Sequence, residues 1–495
     1  MGKMRIFYFL LFIINIFFSK EDIISFKIES FQSKVESSDS NILNKLYDSH
    51  LSTITNVGSN LYPLKTFISN QNHYFYISKQ CYVEKSYFQD YKTNFNYNRF
   101  KSDSFYNTSA FNISFSLSGS ACFAQETFQL FKFNKMEMTN ARLNFILEED
   151  TNENIPNCLH LGLLENKNQD SSFREYNLIT QLRQKSYIKD SCWTIIFNKP
   201  NNFDNNNLLV KADELLNLNG NLYIGGYPHN FDKGNFYESQ FVKTYTTFVN
   251  NIMKWELQFS KVFYKFNNKE IKIFADNTIA LDPSSYLTFV PDDYMVSLDS
   301  NFFRQFLADG ICAYESIDNY DAISCTKSEK FSINEIKKFP PLFFEHINLQ
   351  YTFELTYKDL FIEKDGKYYL LMISDPQFQK DRWVLGNTFM RKYQFVFNLE
   401  SKEIGFYNPN LEKKNNDKEN PKDSSKVVLY IILAVALVII LIGIGIFIKM
   451  KFYPSKKKKQ RANELDDDFD YVSQKNNDSN NNDDNQLFKN DNNQE

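Results

Sequence analysis

The 495-residue sequence is poor in the residues that build metal sites and small-residue loops, with 14 Gly, 12 Pro, 6 Cys and 5 His. So few His, without clustered Cys/His spacing, exclude a zinc module, and no Gly-rich phosphate loop is visible. Six Cys in so long a chain exclude a miniature disulfide scaffold but suit a few bridges. We therefore expect no metal ion and no cofactor.

The chain also lacks an excess of charge of either sign. Its 56 Lys and Arg residues oppose 60 Asp and Glu residues, which gives a formal net charge of −4. This balance provides no long-range attraction to nucleic acid, and no basic-aromatic surface stands out in the sequence. We therefore expect no nucleic-acid partner.

Aromatic residues are abundant, with 50 Phe and 30 Tyr, and hydrophobic residues make up 42% of the chain. This composition excludes disorder as the dominant state and favours half-buried strands, while the length suggests two domains or lobes. Alternating hydrophobic segments predict strands and outnumber the helical patterns, so the expected fold class is mostly β. The clearest strand patterns are residues 111–117, 221–224, 351–357 and 393–397, and the clearest helical patterns are residues 176–184 and 294–307.

Two apolar runs predict how the chain is placed in the cell. Residues 6–18 follow Lys3 and Arg5 and are too short to span a bilayer, so residues 1–19 are predicted to be a signal peptide. Residues 427–448 contain no charged residue and are followed by lysines, which predicts a transmembrane helix with the C-terminus in the cytosol. We expect a single-pass membrane protein with a lumenal or extracellular ectodomain.

This topology assigns the segments around the ectodomain core. Residues 20–45 form an N-terminal segment, residues 409–426 a polar stalk, and residues 449–495 a disordered cytosolic tail. On the lumenal side, the sequons at Asn107 and Asn112 are predicted glycosylation sites.

The strongest local pattern occupies residues 383–407, which begin Trp-Val-Leu-Gly-Asn-Thr-Phe-Met-Arg. It resembles the C-terminal hallmark of pepsin-like aspartic proteases, in which W-[IV]-L-G-D-x-F-[LM]-R precedes two strands. Further segments resemble landmarks of that family in the right order, and together they extend the resemblance over roughly residues 46–408. These segments are residues 161–163, residues 222–227, the strand at Trp255, the pair Cys312 and Cys325, and residues 339–344.

The resemblance implies a bilobal β fold, with lobes at residues 46–225 and 226–408 and a long substrate cleft between them. In that family each lobe contributes one Asp from a D-[TS]-G-[ST] loop. Two carboxylates about 3 Å apart share one proton, so that one acts as a base toward a bound water while the other donates to the substrate carbonyl oxygen. The expected chemistry therefore requires both Asp residues.

In the second lobe the resemblance assigns the catalytic position to Asp282, because Pro291 stands nine residues after it, as in the family pattern. Pro283 replaces the family's Thr and removes a hydroxyl and a backbone donor. Ser284 replaces the family's Gly, whose conformational freedom a Cβ would restrict. Asp276 is a weaker alternative, because neither a small-residue turn nor the proline follows it.

In the first lobe the family's Asp falls on Ser69, which stands eleven residues after Gly58. Residues 74–78 independently match the segment that follows the family's D-T-G, so Ser69, Asn70 and Gln71 occupy the D-T-G position. No Asp lies close enough for a small register shift to restore the catalytic pair.

The predicted cleft differs from the family pattern at its flap as well. Phe115 stands near the position of the family's flap Tyr and cannot form the hydrogen bond of a tyrosine hydroxyl. The residues predicted to contact a ligand in the cleft are Asn70, Gln71, Phe115, Ser284 and Ser285.

The functional prediction depends on the absence of the first-lobe carboxylate. Removing one member of a catalytic unit typically costs roughly 10⁴-fold in rate, and the hydroxyl of Ser69 is too weak an acid or base to replace a carboxylate. We predict a membrane-anchored peptidase homologue that is impaired or inactive and whose cleft binds a peptide or glycoprotein. Two alternatives stay open: an endopeptidase that works at acid pH through Asp282, and a structural surface protein with a collapsed cleft.

The six cysteines allow 15 pairings, so spacing alone does not fix the bridges. The resemblance implies a bridge between Cys312 and Cys325 in the second lobe. The preferred remaining pairs are Cys158 with Cys192 and Cys81 with Cys122.

Overall fold

The computed structural model describes the chain in several stretches. The described residues are 22–32, 41–69, 75–78, 102–109, 120–149, 158–164, 176–198, 209–249, 252–273, 278–349, 351–374 and 383–411. The predicted signal peptide, transmembrane helix and cytosolic tail lie outside these ranges. Within them, no helix combines the length and the apolar character that crossing a bilayer requires.

Strands dominate the described residues, as the alternating sequence patterns predict. In chain order they are β1 (Ile24–Gln32), β2 (Ser49–Val57), β3 (Tyr62–Ser69), β4 (Tyr76–Ser78), β5 (Tyr106–Ser109), β6 (Ser120–Lys132), β7 (Glu137–Glu149), β8 (Cys158–Gly162), β9 (Cys192–Phe197), β10 (Val210–Lys211), β11 (Asn219–Ile224), β12 (Phe241–Tyr245), β13 (Phe248–Val249), β14 (Ile252–Met253), β15 (Glu256–Phe266), β16 (Lys269–Lys272), β17 (Thr278–Leu281), β18 (Thr288–Val290), β19 (Cys312–Ile317), β20 (Tyr320–Thr326), β21 (Leu342–His346), β22 (Tyr351–Leu355), β23 (Phe361–Lys364), β24 (Lys367–Ser374), β25 (Val384–Leu385), β26 (Phe395–Asn398) and β27 (Glu403–Tyr407).

Helices in the described residues are short. They are α1 (Ile42–Tyr47), α2 (Leu178–Gln184), α3 (Ala212–Leu216), α4 (Pro228–Phe231), α5 (Asp292–Leu298), α6 (Arg304–Ala308), α7 (Ile333–Ile336), α8 (Tyr357–Leu360) and α9 (Asn387–Lys392). The helical pattern at residues 176–184 is confirmed by α2, whose first turn is capped by the Asn177 side chain. The pattern at residues 294–307 is confirmed by α5 and α6, which a π-helical segment, Asp299–Phe303, joins.

Two large sheets organise the lobes. The first has 13 strands in the order β12-β27-β26-β9-β11-β1-β2-β3-β8-β4-β7-β6-β5, and β1 and β2 also pair with β6. The second has 12 strands, with β10-β23-β24-β18-β25-β17-β15-β21-β22 as its main path and β16, β19 and β20 off it. Alternation along β2 shows how the sequence builds the first sheet, since Leu51 and Val57 are fully buried while Ile54 is 52% exposed.

The two lobes exchange strands and share buried aromatic contacts. Strands β26 and β27 lie in the chain segment predicted to form the second lobe but belong to the 13-stranded sheet. Trp255, at the start of the second-lobe segment, donates its indole N–H to the Leu163 carbonyl oxygen of the first lobe at 3.0 Å. Its ring also packs against Trp193 and Phe397. The contacts between the lobes are therefore part of one hydrophobic core that both lobes share.

The disulfide prediction is confirmed for one pair. Cys312 and Cys325 are bonded and face each other across the β19–β20 hairpin. Cys122 and Cys192 are buried. Cys81 and the side chain of Cys158 lie outside the described residues, so the pairs Cys81–Cys122 and Cys158–Cys192 stay predictions.

Cys158 and Cys192 lie on strands that are not neighbours in the first sheet. Five strand spacings separate β8 from β9 along the path of this sheet. Cys122 packs in the main hydrophobic core.

Candidate functional site: the cleft floor

Asp282 follows directly after β17, which pairs in parallel with β25 in the second sheet. Its N–H donates to the Leu385 carbonyl oxygen at 3.0 Å, which continues the parallel pairing of β17 with β25. Asp282 is only 8% exposed. Its Oδ1 accepts hydrogen bonds from Ser284 N at 2.9 Å and from Ser284 Oγ at 2.6 Å. The carboxylate is thus held by its own loop in an Asx-type turn.

The loop that follows Asp282 packs closely against the backbone that follows β25. A Cβ on Gly386 would come within 2.5 Å of the Ser285 carbonyl oxygen and 2.6 Å of the Leu287 carbonyl oxygen. The next residue, Asn387, donates its backbone N–H to the same Ser285 oxygen at 2.7 Å. Only glycine fits this contact, and the predicted ligand residues Ser284 and Ser285 are half-buried above it.

The first lobe repeats this arrangement around Ser69. β3 ends at Ser69 and pairs in parallel with β8, so that Ser69 stands opposite Gly162. In the second lobe, Leu281 pairs in parallel with Leu385. The same register, extended by one residue, places Asp282 opposite Gly386. In each lobe the strand end therefore faces the glycine of a Leu-Gly step. By backbone position, Ser69 and Asp282 are counterparts.

Several predicted site residues lie outside the described part of the chain. The side chain of Ser69 and the residues Asn70, Gln71 and Phe115 lie outside the described positions, as do the sequon residue Asn112 and the alternative carboxylate Asp276. Asn107 is exposed on β5.

Two histidines, His50 and His160, lie in strands of the first sheet that neighbour the end of β3. His160 in β8 is the register partner of Phe67 in β3 and of Tyr76 in β4. Its ring stacks on Tyr76 with centroids 4.4 Å apart. Burial, and to a lesser degree His50, lower the pKa of His160 to about 4. His160 is therefore neutral at pH 7.

His50 packs near these aromatic residues, and the charge of Asp282 in the second lobe acts on it. Its ring meets Phe67 edge-on at 6.1 Å. Burial lowers the pKa of His50, and the negative charges of Asp48 and Asp282 partly oppose this shift. The described cleft floor therefore combines one carboxylate with neutral imidazoles and aromatic rings.

The sequence contains a local signal for His160 but none for His50. His160 lies two residues before Gly162, and thus on the same side of its strand as the residue opposite Ser69. His50 is nineteen residues before Ser69, and only the register of β2 with β3, extended by two residues, places the two opposite each other. Within the described stretches, no group of three or more His, Cys, Asp or Glu residues is placed to hold a metal ion.

The comparisons with known proteins agree with this architecture. A model of the eukaryotic aspartyl protease family matches residues 76–408, a range that begins after the Ser69–Gln71 segment. Among solved structures, the crystal structure of basic 7S globulin from soybean is similar, with a TM-score of 0.50 and 9% identity over 78% of this chain and 95% of that chain. No curated protein matches the sequence. The structural likeness supports the bilobal pepsin-like fold.

Proposed function

Because the chain belongs to the eukaryotic aspartyl protease family, we propose that it is a membrane-anchored, pepsin-like protein whose cleft binds a peptide or glycoprotein without cleaving it. One observation carries this proposal. Ser69 and Asp282 occupy equivalent strand ends, each opposite the glycine of a Leu-Gly step. We therefore infer that Ser69 occupies the position that supplies the first carboxylate in this family.

The chemistry of the family explains why this replacement stops hydrolysis. A carboxylate pair shares one proton and so provides base and acid at once. Asp282 alone provides one of the two functions, and a serine hydroxyl does not titrate in the useful range. His50 does not restore the pair, because burial lowers its pKa and an imidazole carries no negative charge with which to share a proton as a second carboxylate does. We expect a rate loss of roughly 10⁴-fold or more.

The surroundings of Asp282 also favour a structural or binding role. Its Oδ1 accepts two hydrogen bonds from Ser284. Pro283 provides neither a hydroxyl nor a backbone N–H for contact with the other lobe. The carboxylate therefore stabilises its own turn.

Peptide binding needs no catalytic pair. A groove between two β lobes binds an extended chain through backbone hydrogen bonds and pockets for alternate side chains. The half-buried rings of His50, Phe67, Tyr76 and His160 offer a flat, largely uncharged wall for apolar or aromatic side chains. We expect ligands rich in such side chains.

Membrane anchoring is the second part of the proposal. It is supported by the uncharged segment 427–448 with its following lysines and by the apolar segment 6–18. The full-length protein should stay in the membrane pellet after alkaline carbonate extraction. A protein without residues 427–448 should be found in the soluble fraction, and membrane retention of that variant would contradict the anchor.

Ligand capture tests the cleft directly. The full-length protein, the cleft variant Asp282→Arg and the matched surface variant Glu329→Arg would be screened against one displayed peptide library. Glu329 is exposed and lies in the loop after β20. We expect peptides to bind the wild type and Glu329→Arg but not Asp282→Arg. If all three bind the same peptides, or none binds any, the structural surface-protein alternative is favoured.

A further inference from the structure

Two segments from the N-terminal half of the chain reach the second lobe. The first is α1, which leads directly into β2 of the first sheet and packs against α3 and β19. The second comprises β10 and α3, residues 210–216, and it leads toward β11 of the first sheet. We refer to α1 and residues 210–216 together as the interlobe bridge.

Strand β10 attaches the interlobe bridge to the second sheet through a small contact. It ends the described path of that sheet and pairs in parallel with β23, so that Val210 stands opposite Ile362. Just beyond this pairing, Asp213 Oδ1 lies 2.8 Å from Lys364 Nζ. The two side chains of this ion pair are 69% and 34% exposed, so water and salt screen it.

Helix α1 makes the second attachment, at the β19–β20 hairpin. The centroids of the Tyr47 and Tyr320 rings are 5.8 Å apart, and Tyr320 packs edge-on against Phe289 of β18 at 5.1 Å. Strand β18 follows the Asp282 loop, and α1 ends shortly before His50. This contact therefore joins elements that carry cleft-floor residues of both lobes.

The helices of the interlobe bridge are anchored in the hydrophobic core. Leu43 and Leu46 of α1 are fully buried, and Leu215 of α3 is 1% exposed. Beyond α3, the Leu218 carbonyl oxygen accepts the Ser30 N–H of β1 at 2.7 Å. Because α1 leads into β2 and α3 is tied to β1, both helices move with the first lobe.

The lobes are thus joined by two kinds of contact that differ in strength. Trp193, Trp255 and Phe397 are buried in the shared core and pack against one another, so separating the lobes there would expose a large apolar surface. The interlobe bridge instead holds the second lobe through a two-residue strand pair, an exposed ion pair and one ring pair. Each of these contacts stabilises only weakly. The bridge contacts can therefore break while the shared core stays intact.

We propose that the interlobe bridge is a conformational restraint that limits how far the two lobes separate, and that its release from the second lobe widens the cleft. Movement of two domains about a contact that stays packed is a common way for a cleft to open. Here the shared core is that permanent contact, and the attachments at β23 and Tyr320 are the ones that break. The inference holds whether or not the cleft binds or cleaves a peptide.

The restraint is tested by measuring the distance between the lobes of the full-length protein in detergent. Spin labels are attached through an unnatural ketone side chain at Asn60 and Glu329, which are exposed in the first and the second lobe. Electron–electron double resonance should give one narrow distance distribution for the wild type. The double variant Asp213→Lys with Tyr47→Ala breaks the ion pair and the ring contact. It should add a longer distance, with an open population about 10-fold above that of the wild type.

Glu335→Lys with Tyr314→Ala is the matched control. Glu335 pairs with Lys338 at 2.8 Å, Tyr314 is 45% exposed, and all three residues belong to the second lobe. This variant loses an ion pair and an exposed ring without touching the interlobe bridge, so it should give the distances of the wild type.

Asp213→Asn keeps the proposal testable if the double variant fails to fold, because it changes only an exposed side chain. The backbone amides of residues 361–364 should exchange with deuterium about 3-fold faster in this variant, as expected for the loss of one exposed ion pair. Glu335→Gln should leave their exchange unchanged. The proposal is overturned if the wild type already shows a broad range of distances, if the double variant matches its control, or if Asp213→Asn does not speed the exchange.

Discussion

At the scale of single residues, His346 shows how burial and hydrogen bonding fix a protonation state. It is 4% exposed at the end of β21, and burial lowers its pKa to about 4. Its Nδ1 accepts the backbone N–H groups of Asn348 at 3.1 Å and Leu349 at 3.2 Å. Only an imidazole without a proton on Nδ1 can accept them. Folding therefore selects the neutral ring.

The sign of the resulting pH dependence follows from linkage. The unfolded chain binds a proton at His346 with a pKa of about 6.5, whereas the folded chain does so only at about 4. The free energy of unfolding should fall as the pH is lowered from about 6.5 to about 4, by roughly 3 kcal/mol from this residue. His160, whose pKa is also about 4, adds to the same trend.

Urea unfolding between pH 7 and pH 4 measures this effect. His346→Asn keeps an acceptor for the two N–H groups but does not titrate, so we expect its stability to depend less on pH than that of the wild type. Equal losses in both proteins would show that His346 is not responsible.

The residues of the site differ in how far the sequence could predict them. Asp282 was found because a proline stands at a fixed distance along the chain, and the structure places it at a strand end. His50 and His160 were missed because their association depends on the pairing of β2, β3 and β8. A strand register brings together residues that no local spacing connects.

At the scale of elements, the parallel contact of β25 with the Asp282 loop depends on Gly386. Gly386→Ala would push a Cβ into two backbone carbonyl oxygens, neither of which can rotate away. We expect a loss of more than about 2 kcal/mol of unfolding free energy, because overpacking against backbone requires the loop to shift. Chemical denaturation of the purified protein measures it.

Gly234→Ala is the matched control for this prediction. A Cβ at Gly234 would have no heavy atom within 4 Å, so the same substitution there should change stability by no more than about 0.5 kcal/mol. Similar values for both variants would mean that the Gly386 contact is not tight in solution.

The ends of a strand could be predicted where a single alternating hydrophobic pattern in the sequence determines them. The pattern at residues 221–224 is confirmed by β11, and the pattern at residues 393–397 by β26 with a shift of about two residues. The π-helical segment between α5 and α6 was not predicted, because its hydrophobic spacing resembles that of a continuous helix. The Cys158–Cys192 pairing stays a prediction, and the sheet order separates the two strands that carry these residues.

At the scale of the whole molecule, the order of motifs along the chain predicted the bilobal pepsin-like fold. Each motif marks a strand end or a turn that the fold requires, so their order constrains the topology. The placement of β26 and β27 in the 13-stranded sheet was not predicted, because a division of the sequence into two consecutive lobes assigns both strands to the second lobe. The consequence is a shared core around Trp193, Trp255 and Phe397.

Peptide cleavage by the full-length protein between pH 3 and pH 7, with and without pepstatin, tests the central claim most directly. Asp282→Asn serves as the matched variant, because it keeps an acceptor for Ser284 while removing the charge. We predict no pepstatin-sensitive cleavage by the wild type or by Asp282→Asn at any pH. Pepstatin-sensitive turnover by the wild type that disappears in Asp282→Asn would contradict the account and show that the cleft hydrolyses peptides without a first-lobe carboxylate at residue 69.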